Sequence, residues 1–122
     1  MLVVDAANVI GSRPTGWWRD RAGAARSFVG DLRAGVAAGR LSGPVVVVLE
    51  GKARGGASSG AAEGVMVVHA AGSGDDALVD VVREAPGGEA VVLVSADREL
   101  RRRAEALGAE VVGPTWLLER LA

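Results

Sequence analysis

A three-layer α/β/α sandwich around a parallel five-stranded sheet is the fold this chain predicts. Short runs of apolar, β-branched residues recur without polar alternation, as strands covered on both faces require. Stretches with apolar residues at three- and four-residue steps separate most of them, as helical crossovers do. Turns rich in Gly and Pro mark the changes of period. With 122 residues, 49% of them hydrophobic and 24% charged, a single domain over 1–122 with one ordinary core is expected.

Leu2–Val4 is the first strand, apolar throughout. Residues 8–16 carry Gly11, Pro14 and Gly16 and read as a loop. From Trp17 to about Ala38, the residues Trp18, Ala22, Ala25, Val29, Leu32 and Val36 recur at helical spacing. One long helix is predicted there, with Trp18 on its buried stripe and Gly39 as its stop; Gly23, Gly30 and Gly35 lower its propensity. Gly43-Pro44 opens Val45–Leu49, the clearest buried strand.

Residues 51–64 are so rich in Gly and Ser that a flexible surface loop with no packed element is expected, long enough to suggest function. Val65–Val68 is the third strand, and Asp75 to Glu84 a helix. The Pro86–Gly88 turn leads into Ala90–Val94, the fourth strand. A helix over Arg98–Leu107 ends at Gly108, a natural C-terminal cap. Glu110–Val112 is a short fifth strand, and Pro114 begins a last helix carrying Trp116, expected in the core, with Leu117, Leu118 and Leu121.

Composition narrows the chemistry. Cysteine is absent, which removes disulfides and thiolate sites and agrees with a cytoplasmic, reducing compartment. No apolar run approaches the length of a membrane span and no leader pattern is present, so no membrane partner is expected. A net charge of −1 means that polyanion binding must come from local arginine clusters. With one histidine and no tyrosine, ordinary general bases and nucleophiles are scarce. Carboxylates are plentiful.

In parallel sheets function gathers where strands end, beside the point of strand-order reversal. Asp5, Glu50, His69 and, slightly further on, Asp97 follow strands; Asp75 and Asp76 open a helix after the Gly72-Ser-Gly74 turn. If the first and fourth strands are neighbours, Asp5, Asp75 and Asp97 share one edge. Carboxylates so placed repel one another unless a cation sits among them. Oxygen donors without His or Cys select Mg²⁺ or Mn²⁺, which can activate a water and stabilise charge on a phosphoryl oxygen. The plainer roles are helix capping for Asp75, Asp76 and Asp97, turn stabilisation for Asn8 and an ordinary strand-end position for His69. An acid ending a buried strand, as Asp5 does, costs desolvation and calls for compensation.

Two phosphate-binding signatures fail. Gly51-Lys52 lacks the upstream glycine and the following Ser/Thr of a P-loop. Gly72-Ser-Gly74-Asp-Asp-Ala77 fits the dinucleotide spacing, but Asp75 and Asp76 would repel a pyrophosphate at the helix N-terminus.

Val-Val-Asp5-Ala-Ala-Asn8-Val-Ile, Gly72-Ser-Gly74-Asp75-Asp76-Ala-Leu-Val and Val-Leu-Val-Ser95-Ala-Asp97-Arg-Glu-Leu resemble the NYN domains of the PIN-like nuclease superfamily. So does the closing stretch, Leu107-Gly-Ala-Glu-Val-Val-Gly-Pro-Thr-Trp116-Leu-Leu. The resemblance spans nearly the whole chain. It implies strand order 3-2-1-4-5, a Mg²⁺ or Mn²⁺ site and hydrolysis of RNA phosphodiester bonds. Carried over by motif, Asp5, Asp75 and Asp97 hold the metal, Asn8 and Ser95 support them, and Asp76 and Asp80 are further candidates. Relatives commonly have an aspartate where this chain has Glu50, whose longer side chain is expected to act through water.

Substrate contacts are expected from Arg13, Trp17 and Arg21 near the first loop, Lys52 and Arg54 in the Gly-rich stretch, and Ser95 and Arg98 beside Asp97. Arg98 is suited to a scissile phosphate and Trp17 to stacking on an unpaired base; Arg101–Arg103 read as a solvated face. The expected partners are RNA and, as an assembly, a homodimer. Two competing readings stay open. One is a catalytically weak NYN-like domain that binds RNA, a nucleotide or a protein; the other is a metal-dependent nucleotide phosphohydrolase.

Overall fold

The computed structural model describes residues 1–122. Six strands form one sheet: β1 Leu2–Asp5, β2 Val45–Leu49, β3 Gly60–Ala62, β4 Val65–His69, β5 Val92–Val94 and β6 Glu110–Val112. Their order is β3-β4-β2-β1-β5-β6, and every neighbouring pair is parallel except β3 with β4. Without β3, this is the order implied by the resemblance; the sixth strand corrects the expected count of five. The helices are α1 Ala6–Gly11, α2 Arg21–Ala37, α3 Gly74–Glu84, α4 Arg98–Ala106 and α5 Pro114–Leu121.

The unbroken apolar runs are explained by two cores, one on each face. Val4, Val47, Leu49 and Val67 pack with Val9 and Ile10 of α1, Phe28 and Leu32 of α2 and Leu117 of α5. Val3, Val48 and Leu93 pack on the other side with Leu78, Val79 and Val82 of α3 and Leu100 and Ala104 of α4. Burying each Val or Leu contributes about 1.5–3 kcal/mol, so a polar residue on either face of β1 or β2 would be costly. No helix is long and apolar enough to cross a membrane.

Register sets the site. Val4 pairs with Val47 on one side and Val94 on the other, and Asp5 pairs with Val48. The three central strands therefore end together, and Asp5, Glu50 and Ser95 emerge along one edge.

Three local expectations are overturned. The loop expected over 8–16 begins inside α1, whose N-terminus is capped by Asp5. The long helix expected from Trp17 is interrupted: a 3-10 turn covers Trp17–Arg19, and Asp20 leaves helical geometry to cap α2 through the Gly23 N–H at 2.8 Å. Trp18 is consequently 56% exposed rather than buried, whereas Trp116 packs against the core from a half-buried position, with the Arg120 guanidinium 3.8 Å above its ring.

Nor is 51–64 a structureless loop. A 3-10 turn covers Gly51–Gly56, and β3 pairs antiparallel with β4 through a tight turn in which Glu63 and Gly64 both take positive φ, the backbone of a hairpin that follows strand twist. Gly56 is required by packing on α2: a Cβ there would lie 2.8 Å from both the Ala25 Cβ and the Arg26 N. Glycine at this position permits contact rather than flexibility.

Candidate functional site

Asp5 ends β1, is only 7% exposed, and has both carboxylate oxygens engaged. The Ser95 hydroxyl donates to Oδ2 at 2.8 Å, and the Asn8 backbone N–H donates to Oδ1 at 3.3 Å. The acid is thus also the cap of α1, which supplies the compensation its burial demands. Desolvation by burial pushes its pKa up, the bonds from Ser95 and Asn8 oppose this, and repulsion from Asp75 and Glu50 adds to the rise.

Ser95 and Asn8 then tie this strand end to the next. Ser95 is fully buried; its Oγ accepts from the Asp97 N–H at 3.1 Å while donating to Asp5. The Asn8 side-chain oxygen accepts from the Ala96 N–H at 2.8 Å. Asn8 therefore touches Asp5 through its backbone and the β5–α4 turn through its side chain. Asp97 caps α4 by accepting from the Leu100 N–H at 2.9 Å. Full burial removes Ser95 from the expected substrate contacts and makes it a residue that positions Asp5.

Across the edge, Glu50 follows β2 and its Oε2 accepts from the Gly74 N–H at 2.8 Å. Gly74 lets the Glu50 carboxylate approach this closely, because a Cβ would stand 2.8 Å from the Glu50 Cδ and push it aside. Asp75, next in α3, is half-buried in the helix's first turn, where the dipole favours an acid, and it makes no capping hydrogen bond. Desolvation raises its pKa, followed by repulsion from Asp97 and Glu50; Arg103 opposes the rise and Asp76 adds to it. Glu50 and Asp75 thus act on Asp5, and Asp97 and Glu50 on Asp75, which makes Asp75 the member that joins the group. Glu50 is the member that motif carry-over understated, and its place after a buried strand is the signal that marks it.

Other candidates lie apart. Asp76 is exposed and pairs with Arg103 at 3.0 Å, and Asp80 is exposed and pairs with Arg83 at 2.9 Å. Arg54 spends its guanidinium on the carbonyls of Gly51 at 3.0 Å and Ala70 at 3.4 Å, bracing the 3-10 turn. His69 is tied to the Ala57 carbonyl at 2.7 Å. Lys52, Arg13 and Arg98 are exposed. Beside the acids opens a cleft of about 420 Å³ with Ala6, Ile10, Leu49 and Ala53 as apolar lining, walled by Trp17 and Arg21 and reached by Glu50.

No family model matches the sequence, and no curated protein matches it significantly. Among solved structures, the chain is similar to Rae1 (YacP) from Bacillus subtilis, with a TM-score of 0.70 and 16% identity over 98% of this chain and 72% of that one. The fold is NYN/PIN-like. At this identity the likeness concerns architecture, and chemistry has to be argued from the side chains.

The divalent ion that a NYN/PIN-like fold implies can be tested against the donors. They fit in kind and in charge: only hard oxygen ligands are present, and Asp5 and Asp75, pushed up first by burial, are raised further by neighbouring carboxylates whose charge a cation would neutralise. As the side chains stand, no three acids or histidines gather closely enough to hold an ion. The edge offers oxygen donors without a finished cage.

Proposed function

We propose that this protein is a divalent-metal-dependent ribonuclease that hydrolyses RNA phosphodiester bonds at the acidic edge of its sheet. The observation that carries the reading is the acid buried at a strand end, Asp5, with Asp75 and Glu50 acting on it through space, and Asp97 and Glu50 acting in turn on Asp75. Asp5, Asp75 and Asp97 would hold Mg²⁺ or Mn²⁺, with Glu50 beside them. When bound, the ion supplies an activated water and neutralises charge on a phosphoryl oxygen.

The chain's own residues do the positioning. Ser95 holds the Asp5 carboxylate in one orientation, and Asn8 locks the β1 end to the turn carrying Asp97. Arg98, exposed and next to Asp97, would take a phosphate oxygen by a bidentate contact. The scarcity of other nucleophiles leaves water as the attacking group.

A second reading has one observation in its favour, the absence of three converging ligands. On it, the chain is a catalytically weak domain that binds RNA without cutting it. Calorimetric titration with Mn²⁺ separates the two. Binding to the wild type that is lost in Asp97→Asn, with cleavage lost in Asp5→Asn, supports the nuclease. No binding to the wild type, or cleavage untouched by Asp5→Asn, overturns it.

A further inference from the structure

A separate cavity lies at the opposite pole of the molecule, where the strands begin rather than end. Its floor is Leu2 of β1, Val92 of β5 and Leu41 from the turn between α2 and β2. Because β1 runs from Leu2 to Asp5, about 10 Å of strand separates this floor from the acidic edge. The cavity volume, about 300 Å³, lies at the lower end of the ~300–1,000 Å³ typical of small-ligand sites. Nothing in the proposed cleavage chemistry uses it.

The rim of this cavity is cationic. Arg40, Ser42 and Arg120 border it, and no acid does. Glu89, next to the lining residue Ala90, is paired with the Met1 ammonium at 3.6 Å, and Glu119 is exposed and outside the lining. Arg40 is exposed and forms no salt bridge. Arg120 holds its guanidinium 3.8 Å above the Trp116 ring, steadied by a bond from Nη1 to the Trp116 carbonyl at 2.9 Å. Arg120 is itself exposed, so the guanidinium face turned away from the indole is open to a second flat group. One arginine is therefore free to pair with an anion, and the other offers a surface for stacking.

We infer that this cavity is a binding site for a nucleoside monophosphate, remote from the acidic edge and independent of the ribonuclease reading. Arg40 takes the phosphate through its planar fork, with the Ser42 hydroxyl as a further donor. The base lies between the open face of Arg120, which stacks on aromatic rings, and the apolar floor of Leu2, Leu41 and Val92. A phosphomonoester suits the rim better than a carboxylate, because it brings three acceptor oxygens and nearly two negative charges. A bare phosphate would leave the floor in water, and an uncharged nucleoside would leave Arg40 unpaired. Both parts of the ligand are needed together.

The test is titration of the protein with adenosine monophosphate in EDTA, so that no metal draws phosphate to the acidic edge. Binding is followed by NMR through the indole N–H signals of the three tryptophans, assigned from Trp17→Phe, Trp18→Phe and Trp116→Phe. The Trp116 signal, at the cavity wall, is expected to shift, and those of Trp17 and Trp18 to stay. Adenosine and inorganic phosphate are each expected to bind about tenfold more weakly than the nucleotide. Arg40→Gln is expected to weaken the nucleotide about tenfold as well, the loss typical of one charge-assisted contact. Because Arg120 also packs on Trp116, the second variant fills the cavity instead: Ala90→Leu, exposed on its border, is expected to weaken binding similarly. An unmoved Trp116 signal at millimolar nucleotide, or a shift of Trp17 in its place, overturns the inference. So does wild-type affinity in both Arg40→Gln and Ala90→Leu, or equal affinity for the nucleotide and either of its parts. A protein that binds the nucleotide as expected but never cleaves RNA with Mn²⁺ loses the nuclease reading and keeps this site.

Discussion

The two halves of the acidic edge are built differently. On the β1/β5 side, Asp5, Asn8, Ser95 and Asp97 are linked by hydrogen bonds of 2.8–3.3 Å that cross from one strand end to the next. On the β2/α3 side, Glu50 has one such bond, to the Gly74 N–H, and Asp76 leans outward to Arg103. The first half is organised before anything binds. The second has fewer such ties, with Arg103 as its neighbouring cation, so its side chains are the ones expected to rearrange around an incoming cation. A rigid anchor facing an adjustable partner lets a site select its ion by charge while keeping one ligand in place.

The largest effect expected from breaking this contrast is at the anchor. Asp5→Asn keeps groups able to bond Ser95 and Asn8 but removes the charge. RNA cleavage is expected to fall more than about a hundredfold, and melting temperature near neutral pH to stay the same or rise. A thermal scan beside a gel cleavage assay measures both. Next comes Ser95→Ala, which leaves the buried Asp5 carboxylate short of a donor and the Asp97 N–H short of an acceptor. Unpaired buried groups cost about 1–3 kcal/mol, so urea unfolding is expected to show destabilisation of that order.

On the adjustable side effects are smaller. Gly74→Ala pushes the Glu50 carboxylate aside. Because a flexible side-chain end can move, Mn²⁺ affinity is expected to fall severalfold in calorimetry, with little loss of stability. The smallest effect concerns Asp75, whose raised pKa means that ionising it costs folding free energy. Its contribution is most favourable below the ordinary carboxylate value of 3.8 and is lost as pH rises through the raised value. Asp75→Asn is therefore expected to raise the metal-free melting temperature at pH 7 and leave it unchanged near pH 3. Mn²⁺ should stabilise the wild type at pH 7 more than this variant.

Legibility from the sequence followed the same division. Strands β1, β2 and β4 were readable because a strand buried on both faces excludes polar residues, and Val45–Leu49 leaves little alternative. Helices α3, α4 and α5 were readable within about a residue at their starts from apolar spacing and from Gly108 and Pro114. The acids Asp5 and Asp97 were visible as strand-end residues. Short α1 was not readable, because Gly11, Pro14 and Gly16 mark a loop that starts one turn later. The break at Asp20 was hidden by a helical apolar pattern that runs through it, and Trp18 was misplaced with it. Ser95 carried two expected roles, support of the acids by motif and contact with substrate, and its full burial and bond to Asp5 agree with the first and not the second.

What the sequence determined by itself is the layered α/β class and the appearance of carboxylates at strand ends, since both follow from local period and burial. The tertiary structure decided everything that depends on two distant segments meeting. Gly56 and Gly74 show this most clearly: in the chain they read as flexible punctuation, whereas in the fold each makes room for a specific neighbour, α2 in one case and the Glu50 carboxylate in the other. Whether Asp5 is a lone acid or one of four is likewise a matter of register, because charges act through space at distances that sequence separation does not encode.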